Sequence, residues 1–211
     1  GQSLFIGKSL YEFYTYAWAG VDRLTGNSLY EMVPDSPDYY SYDEQGNYVY
    51  NQSVYDNRLN AAKNSGAYVE IDGVGYTTNP SYAGRKLLGS SLPTVYGSFS
   101  TNLSWKGILF TYSLGGKTYN GVYQTLMSLG TNGTSALHKD ILKAWTEPTS
   151  TEHSIDPEGV PVLDTGLNNY NNMGGSRFLI SSNYLTLKNV NLSYDLPKKW
   201  VNALKMSDIN I

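Results

Sequence analysis

The chain has 211 residues, room for one large domain or two small ones; 40% are hydrophobic but only 16% charged, and the formal net charge is −3. No basic face is therefore on offer to nucleic acid, and with no cysteine there is neither a disulfide framework nor thiolate chemistry. The 20 tyrosines and 21 glycines favour strands and turns, and the apolar runs fall short of the ~18 residues of a membrane helix, which leaves a membrane β-strand of ~10 alternating residues open.

In chain order, SLYEFYTYAWAG reads as an aromatic strand carrying Tyr11, Phe13, Tyr14, Tyr16 and Trp18. Gly20 and Asp22–Gly26 make a turn, and NSLYEMV starts another extended piece. From Pro34 to Pro93 the text becomes polar and tyrosine-rich, with Pro and Gly punctuation, and is expected to be mainly a long loop region. Within it a hairpin is expected around Gln45-Gly46, and DNRLNAAKN reads as a short helix capped by Asp56 and ended before Gly66.

The next stretch carries the clearest pattern. Val95, Phe99, Leu103 and Trp105 lie on odd numbers, whereas Ile108, Phe110, Tyr112 and Leu114 lie on even ones. A tight hairpin needs that switch of parity to keep one face apolar. A turn at Lys106-Gly107 would pair Trp105 with Ile108, Leu103 with Phe110, Thr101 with Tyr112 and Phe99 with Leu114. The opposite face carries Ser98, Ser100, Asn102, Ser104, Thr111 and Ser113. Such a ribbon suits a barrel wall with lipid on one side and water on the other, and Trp105 near the turn suits an interfacial girdle. A soluble sandwich would instead bury the apolar face under a second sheet.

After Gly116, KTYNGVYQTLMS reads as extended. TSALHKDILKAWT is the best helical candidate, with Leu137, Ile141 and Trp145 on one stripe. NYLTLKNVNLSYDLP is a strand in which Val190, Leu192, Tyr194 and Leu196 alternate with polar residues; PKKWVNAL starts a short helix, and MSDINI begins what reads as a further strand.

Candidate chemistry is sparse. His138 and His153 have no partner at metal-ligand spacing, so both read as surface residues. Asp35, Asp38, Asp43 and Glu44 have the oxygen chemistry of a calcium site but not its alternation, and read as a solvated acidic loop. DGVGYTT, Asp72–Thr78, lacks the third glycine of a dinucleotide loop. Tyr39, Tyr40, Tyr42, Tyr48 and Tyr50 could stack on a sugar or peptide, but mutual packing is the preferred reading. No catalytic residue, cofactor or metal ligand is assigned, the reading is not an enzyme, and ligand-binding residues remain unknown.

Several stretches resemble one family. AGVDRLTGNSLYEM looks like its Ala-Gly-x-Asp-x-x-x-Gly-x-x-Leu-Tyr/Trp hairpin, and LGSSLPTVYGSFSTNLSWKGILFTYSLGG is similar to its Gly-x-x-x-Pro-x-x-x-Gly-x-Phe and Lys-Gly-Phe hairpin. ILKAWTEP resembles its Trp-Thr-x-Pro segment, and SSNYLTLKNVNLSYDLPKKW its Ser-Tyr-Leu-Arg-Leu-Lys-Asn-Val-x-Leu-x-Tyr-x-Leu-Pro block. Asn183, Thr186 and Ile108 stand where the family more often has Ser, Arg and Phe. The family is the SusC/RagA-type TonB-dependent outer-membrane transporters. The resemblance implies an all-β fold: an antiparallel meander forming part of a large transmembrane β-barrel, with long extracellular loops and one or two short helices. Residues 1–211 would be a partial barrel from its C-terminal part, with 34–93 mainly a long loop region and the plug domain absent. The resemblance also implies import of oligosaccharides or peptides, a SusD-like surface lipoprotein as partner, TonB engaged through the missing N-terminal part, membrane lipid around the wall, and location in the bacterial outer membrane. The alternative is a soluble β-rich glycan-binding module.

Overall fold

A computed structural model describes residues 5, 7–103, 106–128, 136–192 and 198–203. In chain order the strands and helices are β1 (Glu12–Tyr16), β2 (Trp18–Asp22), β3 (Ser28–Glu31), β4 (Tyr40–Tyr42), β5 (Tyr48–Tyr50), α1 (Gln52–Asn64), β6 (Tyr68–Ile71), β7 (Val74–Thr77), β8 (Arg85–Ser90), β9 (Val95–Leu103) and β10 (Lys106–Leu114). They continue with β11 (Lys117–Tyr119), α2 (Gly121–Met127), β12 (Ile155–Asp156), α3 (Asn168–Asn171), β13 (Leu179–Ser181), β14 (Tyr184–Leu192) and α4 (Lys198–Ala203). Every strand pairing with a described register is antiparallel, and the helices are short, so the chain is mostly antiparallel sheet as expected. It divides into two compact units, Gly1–Gly89 with Tyr119–Ile180, and Ser90–Thr118 with Ser181–Ile211.

The first unit is built on a five-stranded sheet in the order β12-β2-β3-β7-β6. The opening aromatic stretch is not one strand: it breaks at Ala17, β1 pairing with β8 while β2 pairs with β3 and β12. The β2–β3 turn is held by Asp22, whose carboxylate accepts from Leu24 N at 3.2 Å and Thr25 Oγ1 at 2.6 Å. Gly26 closes it at φ +75°, with the Trp145 ring packed where a Cβ would stand. Around this sheet Val21, Leu29, Tyr30, Met32, Val33, Ala62, Met127 and Phe178 are buried.

The excursion over 34–93 is folded. It holds the β4–β5 hairpin around Gln45-Gly46, as expected, then α1, the β6–β7 hairpin and β8. Helix α1 starts four residues before the expected Asp56 cap; Asn51 is the flanking residue, and Asp56 instead accepts from Gln52 Nε2 one turn back, at 2.8 Å. The chain leaves the helix at Gly66, φ +71°, as Ala67 N donates to Ala62 O. DGVGYTT contributes the β6–β7 turn: Ile71 pairs with Val74, and Asp72 and Gly73 both have positive φ, the conformation a tight hairpin with an Asp-Gly loop requires.

Two expectations fail here. KTYNGVYQTLMS does not stay extended: Asn120 Oδ1 accepts from Tyr123 N at 3.1 Å and starts α2. The helix expected over TSALHKDILKAWT shrinks to a 3-10 turn at Lys139–Lys143, capped by His138 Nδ1, which accepts from Asp140 N. Its C-terminal side is drawn into extended backbone by an Ala144–Val160 bridge, and Trp145 Nε1 donates to Arg23 O at 3.1 Å. These tertiary bonds outweigh the weak helical preference of a short polar segment. Residues 134 and 135, the first two of that segment, lie outside the described residues, as does MSDINI.

The second unit is a three-stranded antiparallel sheet in the order β14-β10-β9, with α4 after it over part of PKKWVNAL. Strands β9, β10 and β14 each have nine residues, which at ~3.4 Å per residue is ~30 Å of strand.

Candidate functional site

The β9–β10 parity switch is real, but the register differs from expectation. Lys106 pairs with Leu103, Ile108 with Thr101, Phe110 with Phe99, Tyr112 with Gly97 and Leu114 with Val95. Lys106 and Gly107 therefore belong to β10 rather than to a turn, and Ile108 lies opposite Thr101; Trp105, its expected partner, lies outside the described residues. Sliding the turn by two residues preserves every face assignment, so side-chain alternation alone could not choose between the two registers.

Strand β14 completes the surface. Ile108 pairs with Val190, Phe110 with Leu187 and Tyr112 with Leu185. The register shifts between Leu109, opposite Asn189, and Phe110, opposite Leu187, so Lys188 is the extra residue of a β-bulge. That bulge puts odd-numbered Leu185 and Leu187 on the same side as even-numbered Val190. The resulting face reads Thr101-Ile108-Val190, Phe99-Phe110-Leu187 and Gly97-Tyr112-Leu185 across the three strands. The Tyr112 hydroxyl lies over Gly97, filling the place of its missing side chain. Phe99 is 62% exposed, Leu185 71%, Leu187 51% and Val190 60%, so no second sheet covers these side chains. The opposite face reads Ser100-Leu109-Asn189, Ser98-Thr111-Thr186 and Tyr96-Ser113-Tyr184. The side chains of Leu103 and Trp105 lie outside the described residues.

In the first unit the expected acidic loop is taken apart. Asp38 sits in a 3-10 turn at Pro37–Tyr39, its side chain only 8% exposed. It accepts from Tyr14 Oη at 2.6 Å, Arg85 Nη2 at 2.6 Å and Arg85 N at 3.1 Å, and Arg58 Nη1 stands 3.7 Å away. Burial by itself raises its carboxyl pKa, but the Arg85 and Tyr14 hydrogen bonds and the guanidinium charge outweigh that and hold it below the ordinary value. Burial and the same bond to Asp38 push the Tyr14 hydroxyl up. Ser36 ties the knot, accepting from Asp38 N and donating to Arg85 O at 2.7 Å. Asp43, in contrast, is the turn residue of the β4–β5 hairpin and accepts from Asn47 N at 2.7 Å. The described residues hold no cluster of three or more acidic, histidine or cysteine side chains placed to bind a metal.

His153 is more than a surface residue: its Nδ1 lies 2.8 Å from Oδ2 of the fully buried Asp22. Burial raises the Asp22 pKa, and the bonds from Thr25, His153 and Leu24 bring it below its ordinary value. His138 packs edge-on against Tyr123. The tyrosines of the β4–β5 hairpin pack on one another, as preferred: Tyr40 stacks on Tyr48 with centroids 5.0 Å apart, Tyr42 tilts on Tyr48 at 5.3 Å, and buried Tyr39 meets Tyr50 and Tyr55 edge-on. Tyr48→Ala should lower stability by about 1 kcal/mol through loss of its two ring contacts; urea unfolding followed by tyrosine fluorescence measures it. Sequence reading missed that Asp22, Arg85 and Arg177 meet His153, Asp38 and Trp18, each far along the chain.

No family model matches the chain. In sequence it is similar to TonB-dependent receptor P3 of Formosa agariphila, with 25% identity over 148 residues, covering 68% of this chain and 13% of the receptor. The chain thus spans a small part of the curated relative it matches. Among solved structures, the RagAB peptide importer in its closed-closed state aligns over 90% of this chain and 17% of that chain, at 20% identity and TM-score 0.47. The RagAB peptide transporter aligns over 89% and 17%, at 21% identity and TM-score 0.49.

Proposed function

We propose that this chain is a piece of the wall and outer loops of a TonB-dependent outer-membrane transporter of the SusC/RagA type, located in the bacterial outer membrane. One observation carries the reading: an uncovered three-stranded sheet with an apolar face and a hydroxyl- and amide-rich face. In a barrel the first faces hydrocarbon and the second a wet interior. The connections fit as well. Two residues separate β9 from β10, whereas the chain runs from Leu114 to Tyr184 before β14, the short-turn and long-loop asymmetry of outer-membrane barrels. The similarity to a TonB-dependent receptor supports the same reading. The cargo would be an oligosaccharide or a peptide, delivered with a SusD-like surface lipoprotein and moved at the expense of TonB coupling elsewhere in the protein. Residues 34–93 would then form an outer excursion with its own hairpins and helix.

This chain has no cysteine, and any cysteine elsewhere in the full-length protein is first replaced by serine. Single cysteines at Ile108, Leu185, Ser100 and Thr186 are labelled with a polarity-sensitive fluorophore in the full-length protein, reconstituted into bilayers with a lipid-borne quencher. Labels at 108 and 185 are expected to report hydrocarbon and be quenched, and those at 100 and 186 to report water. Equal protection of all four from the quencher would overturn the wall assignment in favour of the soluble module.

A further inference from the structure

Among the described residues, Arg177 is a cation without an anion. It lies in the 3-10 turn Ser176–Phe178, and its guanidinium carbon stands 5.3 Å from the centroids of both the Trp18 and Phe178 rings. Nη1 donates to Asn171 O at 3.3 Å and Asn172 Oδ1 at 3.2 Å, both neutral acceptors. Among the described residues no carboxylate pairs with it, and Nε and Nη2 donate to no described group. Burial depresses its pKa, with only the hydroxyls of Tyr123 and Tyr30 acting the other way. Stacking on two rings offsets part of the cost of holding this charge away from water but supplies no hydrogen-bond acceptor.

Arg177 lines a cavity of about 360 Å³, whose walls also include Trp18, Tyr123, Val160 and Ser176. Glu158, exposed on its lining, makes no ion pair with Arg177. The Ser176 hydroxyl is already engaged with the Trp18 backbone at 2.9 and 3.3 Å, and Tyr123 Oη donates to Asp140 at 3.3 Å. Among the described side chains of this lining, Arg177 is therefore the cation left to receive an anionic ligand, with aromatic surface beside it.

We propose that this cavity binds the carboxylate of a small ligand, gripped by the Arg177 guanidinium, with the body of the ligand against Trp18 and Tyr123. A planar fork with two parallel N–H donors matches a carboxylate in two-point geometry. The carboxylate can come from the C-terminus of a peptide or from a uronic acid, and the probes separate these sources. The inference does not rest on the transport reading: the label test and the titration below fail separately.

The experiment is calorimetric titration of the full-length protein in detergent with four probes: N-acetyl-dialanine, its C-terminal amide, digalacturonate and inorganic sulfate. At least one carboxylate probe is expected to bind, and the tighter of the two names the source; the amide should be weaker by ~10-fold or more, as expected for loss of a charged hydrogen-bond pair. R177Q should abolish binding, and R177K, which keeps the charge but loses the fork, should weaken it several-fold. E158Q should leave binding in place or tighten it. Sulfate binding as tight as the best carboxylate, an amide as good as the acid, no binding by either carboxylate, or a loss in E158Q equal to that in R177Q would each overturn the proposal. If R177Q does not fold, R177K decides, and wild-type affinity there overturns it.

Discussion

In the proposed barrel wall, arginine in place of Phe110 or Leu187 should cost about 2–4 kcal/mol of stability, the figure for a cation on a lipid face near mid-depth. Phe110 is the central residue of β10, and Leu187 is its partner across the sheet. The matching change on the other face, Ser98→Arg or Ser100→Arg, places the same cation on the polar side and should change stability by less than about 1 kcal/mol. Denaturant unfolding from lipid bilayers, with the heat-modifiable gel shift as the readout of a closed barrel, measures both. The contrast between faces is the essential result, because a soluble sheet would show the two pairs of variants much closer together. The effect should also weaken toward the strand ends, so Leu114→Arg should be milder than Phe110→Arg.

Asp38→Ala is the second large effect, expected at about 2–3 kcal/mol in the first unit. Removing one partner of a fully buried ion pair costs about 3–5 kcal/mol. Here Arg85 is 41% exposed, and water takes over part of the stranded charge, which lowers the figure. Tyr14 Oη and Arg85 N also lose their acceptor. The pH dependence has a definite sign. The folded-state pKa of Asp38 lies below its ordinary value of 3.8, so its stabilisation is complete above that value and is lost as pH falls through the folded-state pKa. Asp22 is depressed too and contributes in the same direction. Acid titration of thermal stability should therefore show a fall below about pH 4 that Asp38→Asn flattens in part.

How much of this was legible in the sequence depends on the range of the interaction involved. Side-chain alternation announced the two faces of β9 and β10, because that pattern is local and has a period of two. It could not set the turn, since Lys106-Gly107 and residues 104–105 give the same faces. The β6–β7 turn had a strong local signal in Asp72-Gly73, the Asp-Gly pair of a two-residue hairpin loop, which the Gly-x-Gly pattern of a nucleotide loop overlaps. The segment 134–146 shows the opposite failure: a helical stripe at Leu137, Ile141 and Trp145 lost to bonds reaching Arg23 and Val160. Asp38 looked solvated because Arg85, 47 residues on, could not be seen beside it. Arg177 carried no signal at all, being a single basic residue in a Gly- and Asn-rich loop whose aromatic neighbour Trp18 lies far earlier in the chain.

The bulge at Lys188 acts as a phase corrector. Upstream of it oily side chains fall on odd numbers, and downstream on even ones, so one additional amino acid resets the rhythm midway along the stave. No residue of β10 lies opposite that position, so no cross-strand side-chain pair fixes its chemistry. Chain length is not free: removing one residue would turn half of the strand over, bringing asparagine to the apolar face and valine to the polar one. Evolution of this wall should therefore forgive spelling changes at the bulge while punishing any shift in frame.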